Sequence, residues 1–465
     1  MDMRRFAAFL MVALLAGVSP DSACSQTALQ QGLTAYRAGN MEAAIPALER
    51  ALARDSMQAR AYVVLSSALL QTGQSARALR IAQEGRRHVP NEPALLLAQA
   101  EALMQQERWR EALDAYQRVE ERHRRGVSLS GQVSIERVRA RIGQLHRIVG
   151  QRQVQSGRLD AALRHFKAAR EYMPDSAGVH ADLAAAYLRQ KNWSAADAAA
   201  RRGLQRAPDH VRLLRIRTEA LSRLEKTEAL LPVLRRLYQL QPEDINVGIA
   251  YGHALMANGK SAEARQLFET LIDKHPREPK IYDALVALNK RRLNYEGALH
   301  VLKRQRKQFP NDKELAMRVG RLHEKLGDYA AARAVYDSTQ ALAEPGDFSP
   351  TLARAQTFVE QDSLAAAIAT YRRVLEKAPD HAKALRELGQ VLEQQAAWAE
   401  ALEVYQRLGD VEGEAGYAHA KLGHAYEELG RTDQALRAYQ TAVEQDTDHP
   451  LAHYRYAVLL HTHSD

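Results

Sequence analysis

Small and large apolar residues recur along the chain in a fixed order that closes with a proline. In one copy, Gly252 and Leu255 are followed by Ala264, then by Phe268 and by Pro276. Corresponding sets are Gly150, Ala162, Phe166 and Pro174; Ala367, Tyr371 and Pro379; and Leu422, Gly423, Tyr426, Ala435 and Tyr439. The small residues predict points where two helices of one pair approach closely, and Phe268 and Leu255 are expected to fill the space between pairs.

The copies keep a nearly constant spacing. The closing prolines stand at Pro174, Pro208, Pro242, Pro276, Pro310, Pro345 and Pro379, and only the step to Pro345 is longer than the others, by a single position. Proline ends a helix because it cannot donate the backbone hydrogen bond. The repeated motif Ala-Pro-Asp-His is therefore interpreted as a junction between helical hairpins, in which Asp209 and Asp380 cap the next helix and His210 and His381 are exposed.

The order Leu-Gly-x-x-Tyr, Ala-x-x-x-Phe and Pro, at this constant interval, resembles the tetratricopeptide repeat, whose period is about 34 residues. The abundance of strong helix formers independently favours an all-α protein. The resemblance implies a right-handed α-solenoid of twelve stacked helix-turn-helix repeats, three in residues 26–126 and nine in 143–449, with a concave groove. A capping helix is expected in 450–465, and its polar outer side would come from Pro450, His453, Arg455, His461 and His463.

Residues 127–142 interrupt the repeat by 16 positions. The block VSLSGQVS is typical of a loop, and an unusually long first helix is expected from Val133 onward. Arginines crowd around the interruption, at Arg122, Arg124, Arg125, Arg137, Arg139, Arg141 and Arg147. The segment is either a hinge or basic contact site for an anionic partner, or an ordinary insertion whose charges face water.

The N-terminus has the features of a secretory signal peptide in residues 1–25. Arg4 and Arg5 precede the uncharged run FAAFLMVALLAGV, which is too short to span a bilayer comfortably, and small residues follow. Cleavage after Ser25 would leave Gln26 first, in an exported, periplasmic or cell-envelope protein without cysteine. The alternatives are lipid attachment at Cys24, which has Asp21 where an aliphatic residue is usual, and a retained N-terminal anchor.

The net charge of +9 indicates which partners the chain would attract. Residues 1–25 contain two Arg and two Asp, so their removal would leave this charge unchanged. For an exported protein we expect protein or peptide partners with acidic segments, or anionic polysaccharide or lipid head groups. Nucleic acid would suit the charge but not a signal peptide, and membrane attachment is expected only with lipid on Cys24.

No motif for catalysis or cofactor binding stands in the sequence. Phosphate-binding glycine loops, HExxH and GxSxG are missing, and acidic residues are spread over helical surfaces at salt-bridge spacing. No cofactor, metal site or catalytic residue is therefore predicted. We expect a non-catalytic scaffold, with a role in envelope assembly or polysaccharide export by analogy. The alternative is an envelope hydrolase or transferase that uses the repeats to grip its substrate.

The resemblance implies that the first helix of each pair lines the groove and binds a peptide or a partner's helix. When the family's groove positions are transferred to the same places in each repeat of this chain, the candidates are mostly basic or hydrogen-bonding: Arg212, Arg215, Asn246, His253, Lys280, Lys290 and Arg321. Glu219 and Asp283 oppose this charge, and the Lys and Asn arrangement with which some relatives clamp a carboxyl terminus is not matched. Apolar candidates near the N-terminus are either a second binding patch or packing at the chain end: Leu29, Leu33, Tyr36, Val63 and Leu70.

Overall fold

The computed structural model describes residues 25–127, 129, 134–445 and 450–463. The predicted signal peptide before Ser25, together with Cys24, lies outside the described residues. Within them the chain folds into 25 helices and no strand. The prediction of an all-α repeat solenoid is therefore confirmed.

Two compact units divide the chain between Val247 and Gly248. The helices of unit 1 are α1 Ser25–Arg37, α2 Met41–Arg54, α3 Ala59–Gln71, α4 Ser75–His88, α5 Pro93–Gln105, α6 Trp109–Arg124, α7 Ile135–Gln155, α8 Leu159–Tyr172, α9 Ala177–Arg189, α10 Trp193–Arg206, α11 Val211–Arg223 and α12 Thr227–Leu240. The boundary falls inside α13, Ile245–Ala257.

Unit 2 continues the same alternation of first and second helices. Its elements are α14 Ser261–Lys274, α15 Pro279–Arg291, α16 Tyr295–Gln308, α17 Lys313–Lys325, α18 Tyr329–Gln340, α19 Ser349–Glu360, α20 Leu364–Lys377, α21 Ala382–Gln394, α22 Trp398–Gly409, α23 Ala415–Glu428, α24 Thr432–Gln445 and α25 Pro450–His463. Within each unit, helices pack mainly on their neighbours in sequence, as expected of a stack of hairpins.

The turn inside every hairpin contains one residue with a positive φ. These residues are Gly39, Gly73, Glu107, Gly157, Lys191, Glu225, Gly259, Leu293, Gly327, Asp362, Ala396 and Gly430. Half of them are glycine, which adopts this conformation without a steric cost. These residues recur at the same interval as the prolines, and they show the same interruption near 127–142 and the same single extra residue before Pro345. The backbone conformation therefore repeats even in hairpins whose side chains differ from the motif.

In several hairpins a glycine of the first helix lies against an aromatic ring of the second helix. Phe268 is completely buried, and its ring packs on Gly252 of the same hairpin. The expectation that Phe268 fills the space between pairs is wrong in this respect, because its ring lies between the two helices of one pair. The close approach predicted at Gly252 and Ala264 is present, since Ala264 is also completely buried.

The junctions between hairpins differ from the predicted capping scheme. The N-cap residues of α11 and α21 are His210 and His381, whose Nδ1 atoms accept hydrogen bonds from the amides of Leu213 (3.3 Å) and Ala384 (3.2 Å). The prediction that Asp209 and Asp380 cap these helices is wrong, because each helix begins one residue later. Both histidines are half-buried rather than exposed.

The apolar candidates near the N-terminus pack at the chain end, which was one of the two alternatives for them. Leu33, Tyr36, Val63 and Leu70 are buried in the core of unit 1 and the half-buried Leu29 packs against it, so they form no apolar binding patch. At the other end, the exposed side of α25 carries Leu451, Tyr454 and Leu460 beside His453 and His461. The half-buried Arg455 turns inward to Glu427 (2.7 Å), so it does not contribute to a polar outer face.

Candidate functional site

First helices form the more crowded face of unit 1. Helices α3 and α5, and likewise α9 and α11, contact each other directly across the stack, whereas the second helices of neighbouring hairpins approach each other less closely. The family resemblance assigns partner binding to the first helices, which are the more closely packed set at these two places in unit 1.

All seven predicted groove residues lie on first helices and are exposed. Arg212 and Arg215 are on α11 and Asn246 is at the start of α13, all in unit 1. In unit 2, His253 is on α13, Lys280 and Lys290 are on α15, and Arg321 is on α17.

A buried carboxylate organises the basic residues of unit 1. Asp182 on α9 is 4% exposed and accepts hydrogen bonds from Arg147 Nε (2.6 Å), Gln151 Nε2 (2.8 Å) and Arg212 Nη1 (2.7 Å). Its three donors come from α7 and α11, so one side chain ties three successive first helices together. Charge-assisted bonds of this kind are shorter and stronger than neutral ones.

Arg215 is held in a second, smaller arrangement at the next junction. Its Nη2 donates to Asp244 Oδ2 (2.6 Å) and to Gln241 Oε1 (2.8 Å). Asp244 also accepts from the amides of Asn246 and Val247, and its pKa lies below the ordinary value because these bonds outweigh the opposing effect of burial. The main-chain amide of Asn246 and the guanidinium of Arg215 therefore donate to the same carboxylate.

The predicted residues of unit 2 are less closely linked. Arg321 forms an ion pair with Glu314, and the neighbouring Arg318 pairs with Asp283 (2.7 Å). The ring of His253 meets Phe268 edge-on at 5.9 Å, and burial lowers the pKa of His253 below its ordinary value. Lys280 and Lys290 are exposed at opposite ends of α15.

Sequence reasoning missed a second polar series toward the end of unit 2. Lys421 Nζ donates to Glu393 (2.8 Å), and one repeat further along the chain Arg455 Nη2 donates to Glu427 (2.7 Å). Glu427 also accepts from the hydroxyl of Tyr439 (3.1 Å). The signal was present in the sequence, because basic and acidic residues recur here at the repeat spacing.

Several arginines of the basic interruption are paired within the protein. Glu120, which is 3% exposed, accepts from Arg139 (3.0 Å), Arg124 (2.9 Å) and the hydroxyl of Tyr172 (2.8 Å). Arg125 pairs with Glu121 (2.5 Å). The long helix begins at Ile135, while Val133 lies outside the described residues. Arg124 and Arg139 share one carboxylate, so the interruption keeps part of its positive charge.

Two kinds of feature are absent from the described residues. In residues 25–127, 129, 134–445 and 450–463, no cluster of three or more His, Cys, Asp or Glu side chains is placed to hold a metal ion. No helix in this part of the chain combines the length and the apolar character needed to cross a membrane.

Sequence profiles of the tetratricopeptide repeat match residues 29–93, 153–220, 226–288, 284–347, 352–414 and 420–465. The chain belongs to the tetratricopeptide repeat family. The unmatched stretch 94–152 contains the interruption. No curated protein matches the chain. As a tetratricopeptide repeat protein it is a protein-interaction scaffold, and proteins built from these repeats are generally not catalysts.

Three solved structures illustrate what the chain is similar to. The APC/C hetero-tetramer Cut9-Hcn1 is 16% identical over 95% of this chain and 91% of its own, with a TM-score of 0.29. A tetratricopeptide repeat protein from Parabacteroides merdae ATCC 43184 is 18% identical over 54% and 98%, with a TM-score of 0.34. YrrB, a repeat protein with an unusual peptide-binding site, is 17% identical over 40% and 96%, with a TM-score of 0.30.

Proposed function

We propose that this tetratricopeptide repeat protein is an exported scaffold of the cell envelope that binds extended acidic segments of partner proteins along its first helices. The observation that carries the proposal is the setting of Arg147, Arg212 and Arg215. Each side chain is fixed by a carboxylate of the protein and remains 38%, 51% and 50% exposed, respectively. A guanidinium already held in place can bind a further carboxylate at a small cost in side-chain entropy.

The geometry favours an acidic segment over a neutral one. Asp182 is buried between Arg147 and Arg212, so one negative charge faces two positive ones and a net positive charge remains at the surface. Arg215 pairs with Asp244 on one side only, and its side chain is half-exposed. An extended peptide presenting alternate carboxylates would satisfy the outward N–H groups of these arginines in succession.

A labelled acidic peptide titrated with the full chain tests the proposal. In fluorescence anisotropy we expect the double variant R212A/R215A to bind about tenfold more weakly, because two charge-assisted hydrogen bonds are lost. The matched control is R201A/R202A on the second helix α10, whose exposed arginines have the same charge but lie away from the first helices. Equal weakening by both pairs of substitutions would show non-specific charge attraction and refute the assignment.

Export is proposed from the sequence of residues 1–25. Mass measurement of the mature protein from envelope fractions distinguishes the three N-termini considered. We expect a chain that begins at Gln26. A lipid-modified Cys24 would instead show an anchored protein, and an intact Met1 would remove the case for cleavage.

A further inference from the structure

A cavity of about 350 Å³ lies in unit 1, and none of its lining residues is one of the predicted groove residues. It lies between the α5–α6 turn and the C-terminal end of α7, and Trp109 and Val149 form part of its wall. Four arginines and two glutamates line it, which leaves a net positive charge. This volume is in the range of small-ligand sites, and a net positive charge favours an anion.

Two buried polar atoms of the wall have no hydrogen-bond partner among the described residues. They are Nε1 of Trp109, which can only donate, and Oε1 of Gln153, which can only accept. The Gln153 side chain belongs to a residue that is only 3% exposed. Because buried polar groups are nearly always paired, a donor and an acceptor left unpaired in one cavity wall indicate a ligand that completes both.

Arg152 covers this wall in the present arrangement. Its guanidinium carbon lies 5.7 Å from the centre of the Trp109 ring, and its Nη2 is 2.5 Å from Glu107 Oε2. The two charged side chains are 53% and 67% exposed, so the pair is weakly held. A ligand carboxylate can therefore replace Glu107 on Arg152 and draw the guanidinium off the indole.

We propose that this cavity binds a carboxylate with an N–H group beside it. The carboxylate would accept from Arg152 and from the indole N–H of Trp109, while the neighbouring N–H would donate to Gln153 Oε1. A free amino acid, the C-terminus of a peptide and an acidic residue within a peptide share this chemistry. The site is formed by the α5–α6 turn and the C-terminal end of the first helix α7. None of its lining residues is one of the arginines assigned to acidic segments, so the two proposals can be tested separately.

Trp109 itself reports binding. The chain has three tryptophans, so the background W193F/W398F in the full chain leaves Trp109 as the only tryptophan, whose emission is excited selectively at wavelengths that tyrosine does not absorb. The probes are L-alanine, N-acetyl-L-alanine and N-acetyl-L-aspartate N-methylamide, with L-alaninamide as the control without a carboxylate. We expect a saturable change in emission with at least one carboxylate probe, and saturation-transfer NMR on the unmodified protein provides the same titration if the background folds poorly.

Two substitutions assign the effect to the cavity. R152M and Q153M should each weaken binding at least about tenfold, since each removes a ligand hydrogen bond. Q153M should leave the thermal midpoint unchanged or raise it, because Gln153 Oε1 makes no bond to lose. The control is R223M, measured by saturation-transfer NMR in the chain that keeps Trp193. Arg223 lies over Trp193 at the same 5.7 Å and is not one of the residues that line this cavity.

The response to each probe identifies the source. Saturation by L-alanine indicates a free amino acid, by N-acetyl-L-alanine a peptide terminus, and by the blocked aspartate an acidic side chain, and each supports the carboxylate site. The proposal is overturned if alaninamide saturates equally, if R152M and Q153M bind like the parent, or if no probe changes either the emission or the NMR signal.

Discussion

The ring of Tyr439 packs directly on Gly423, which lies on the first helix of the same hairpin. A Cβ on Gly423 would lie 2.6 Å from ring carbons of Tyr439, which is closer than such atoms approach. The same spacing and the same contact join Gly150 to Phe166, Gly252 to Phe268, Gly320 to Tyr336 and Gly389 to Tyr405. Helix propensity alone would favour alanine over glycine in the interior of a helix. The close contact with the ring therefore explains why glycine occupies this position.

We expect Gly423→Ala to destabilise this hairpin by about 1–3 kcal/mol, because the methyl group forces the buried Tyr439 ring to move. Local hydrogen exchange of amides in α23 and α24 measures the change without requiring a single transition for the whole stack. Gly409→Ala is the control, since the nearest atom to its Cβ would be 3.6 Å away. Equal loss of protection in both variants would contradict the packing argument.

Replacing Asp182 by alanine should destabilise unit 1 by about 1–3 kcal/mol, because three hydrogen bonds to a buried carboxylate are lost. Its arginine partners can return to water, which keeps the cost moderate. Denaturation midpoints measure the effect. Asp175→Ala serves as the control, because Asp175 and Arg206 form an exposed pair at 2.8 Å that should contribute less than about 1 kcal/mol. If the two substitutions cost the same, Asp182 has no special role.

Substitutions at His381 and at the adjacent Asp380 show which of the two residues caps α21. His381→Ala removes the acceptor for the Ala384 amide and the edge-on contact with Phe348 at 5.9 Å. We expect a loss of about 0.5–2 kcal/mol and faster amide exchange in the first turn of α21. Asp380→Ala at the adjacent position should have almost no effect, and a larger loss there than at His381 would restore the aspartate cap predicted from the motif.

Stability should depend on pH through a histidine pair in unit 1. His146 Nδ1 lies 3.0 Å from His165 Nδ1, and burial, with the charge of His165, lowers the pKa of His146 to about 4. The pKa of His165 is also lowered, by burial and by Arg110 and Arg164. In the unfolded chain a histidine protonates at about 6.5. Protons therefore favour the unfolded state, and stability present above about pH 6.5 is lost as the pH falls toward about 4.

The free energy of unfolding of unit 1 is expected to fall by up to about 3 kcal/mol across that range, which denaturation midpoints at a series of pH values would show. His146→Gln removes the titrating ring and should flatten this dependence. A variant that keeps the full pH dependence of the parent would show that other groups cause it.

Much of the fold could be read from spacing. Gly252, Phe268 and Pro276 follow one another at intervals that the helical hairpin fixes, so their recurrence located the helices and their junctions. The frame also placed Arg212 and Lys280 on first helices. It could not state that the side chain of Arg212 reaches Asp182, which lies on another helix.

The sequence by itself determined the period, the all-α class and the helix on which each groove candidate lies, because a repeat of one hairpin leaves its mark at every copy. Only the tertiary structure decided which charges are neutralised inside the protein and which caps form. Charge pairing depends on which long side chains come into contact across neighbouring helices. The cap depends on where a helix begins, since a shift of one residue makes His381 rather than Asp380 the N-cap residue. The period fixes the backbone, but the contacts of each copy depend on residues that its neighbours do not share.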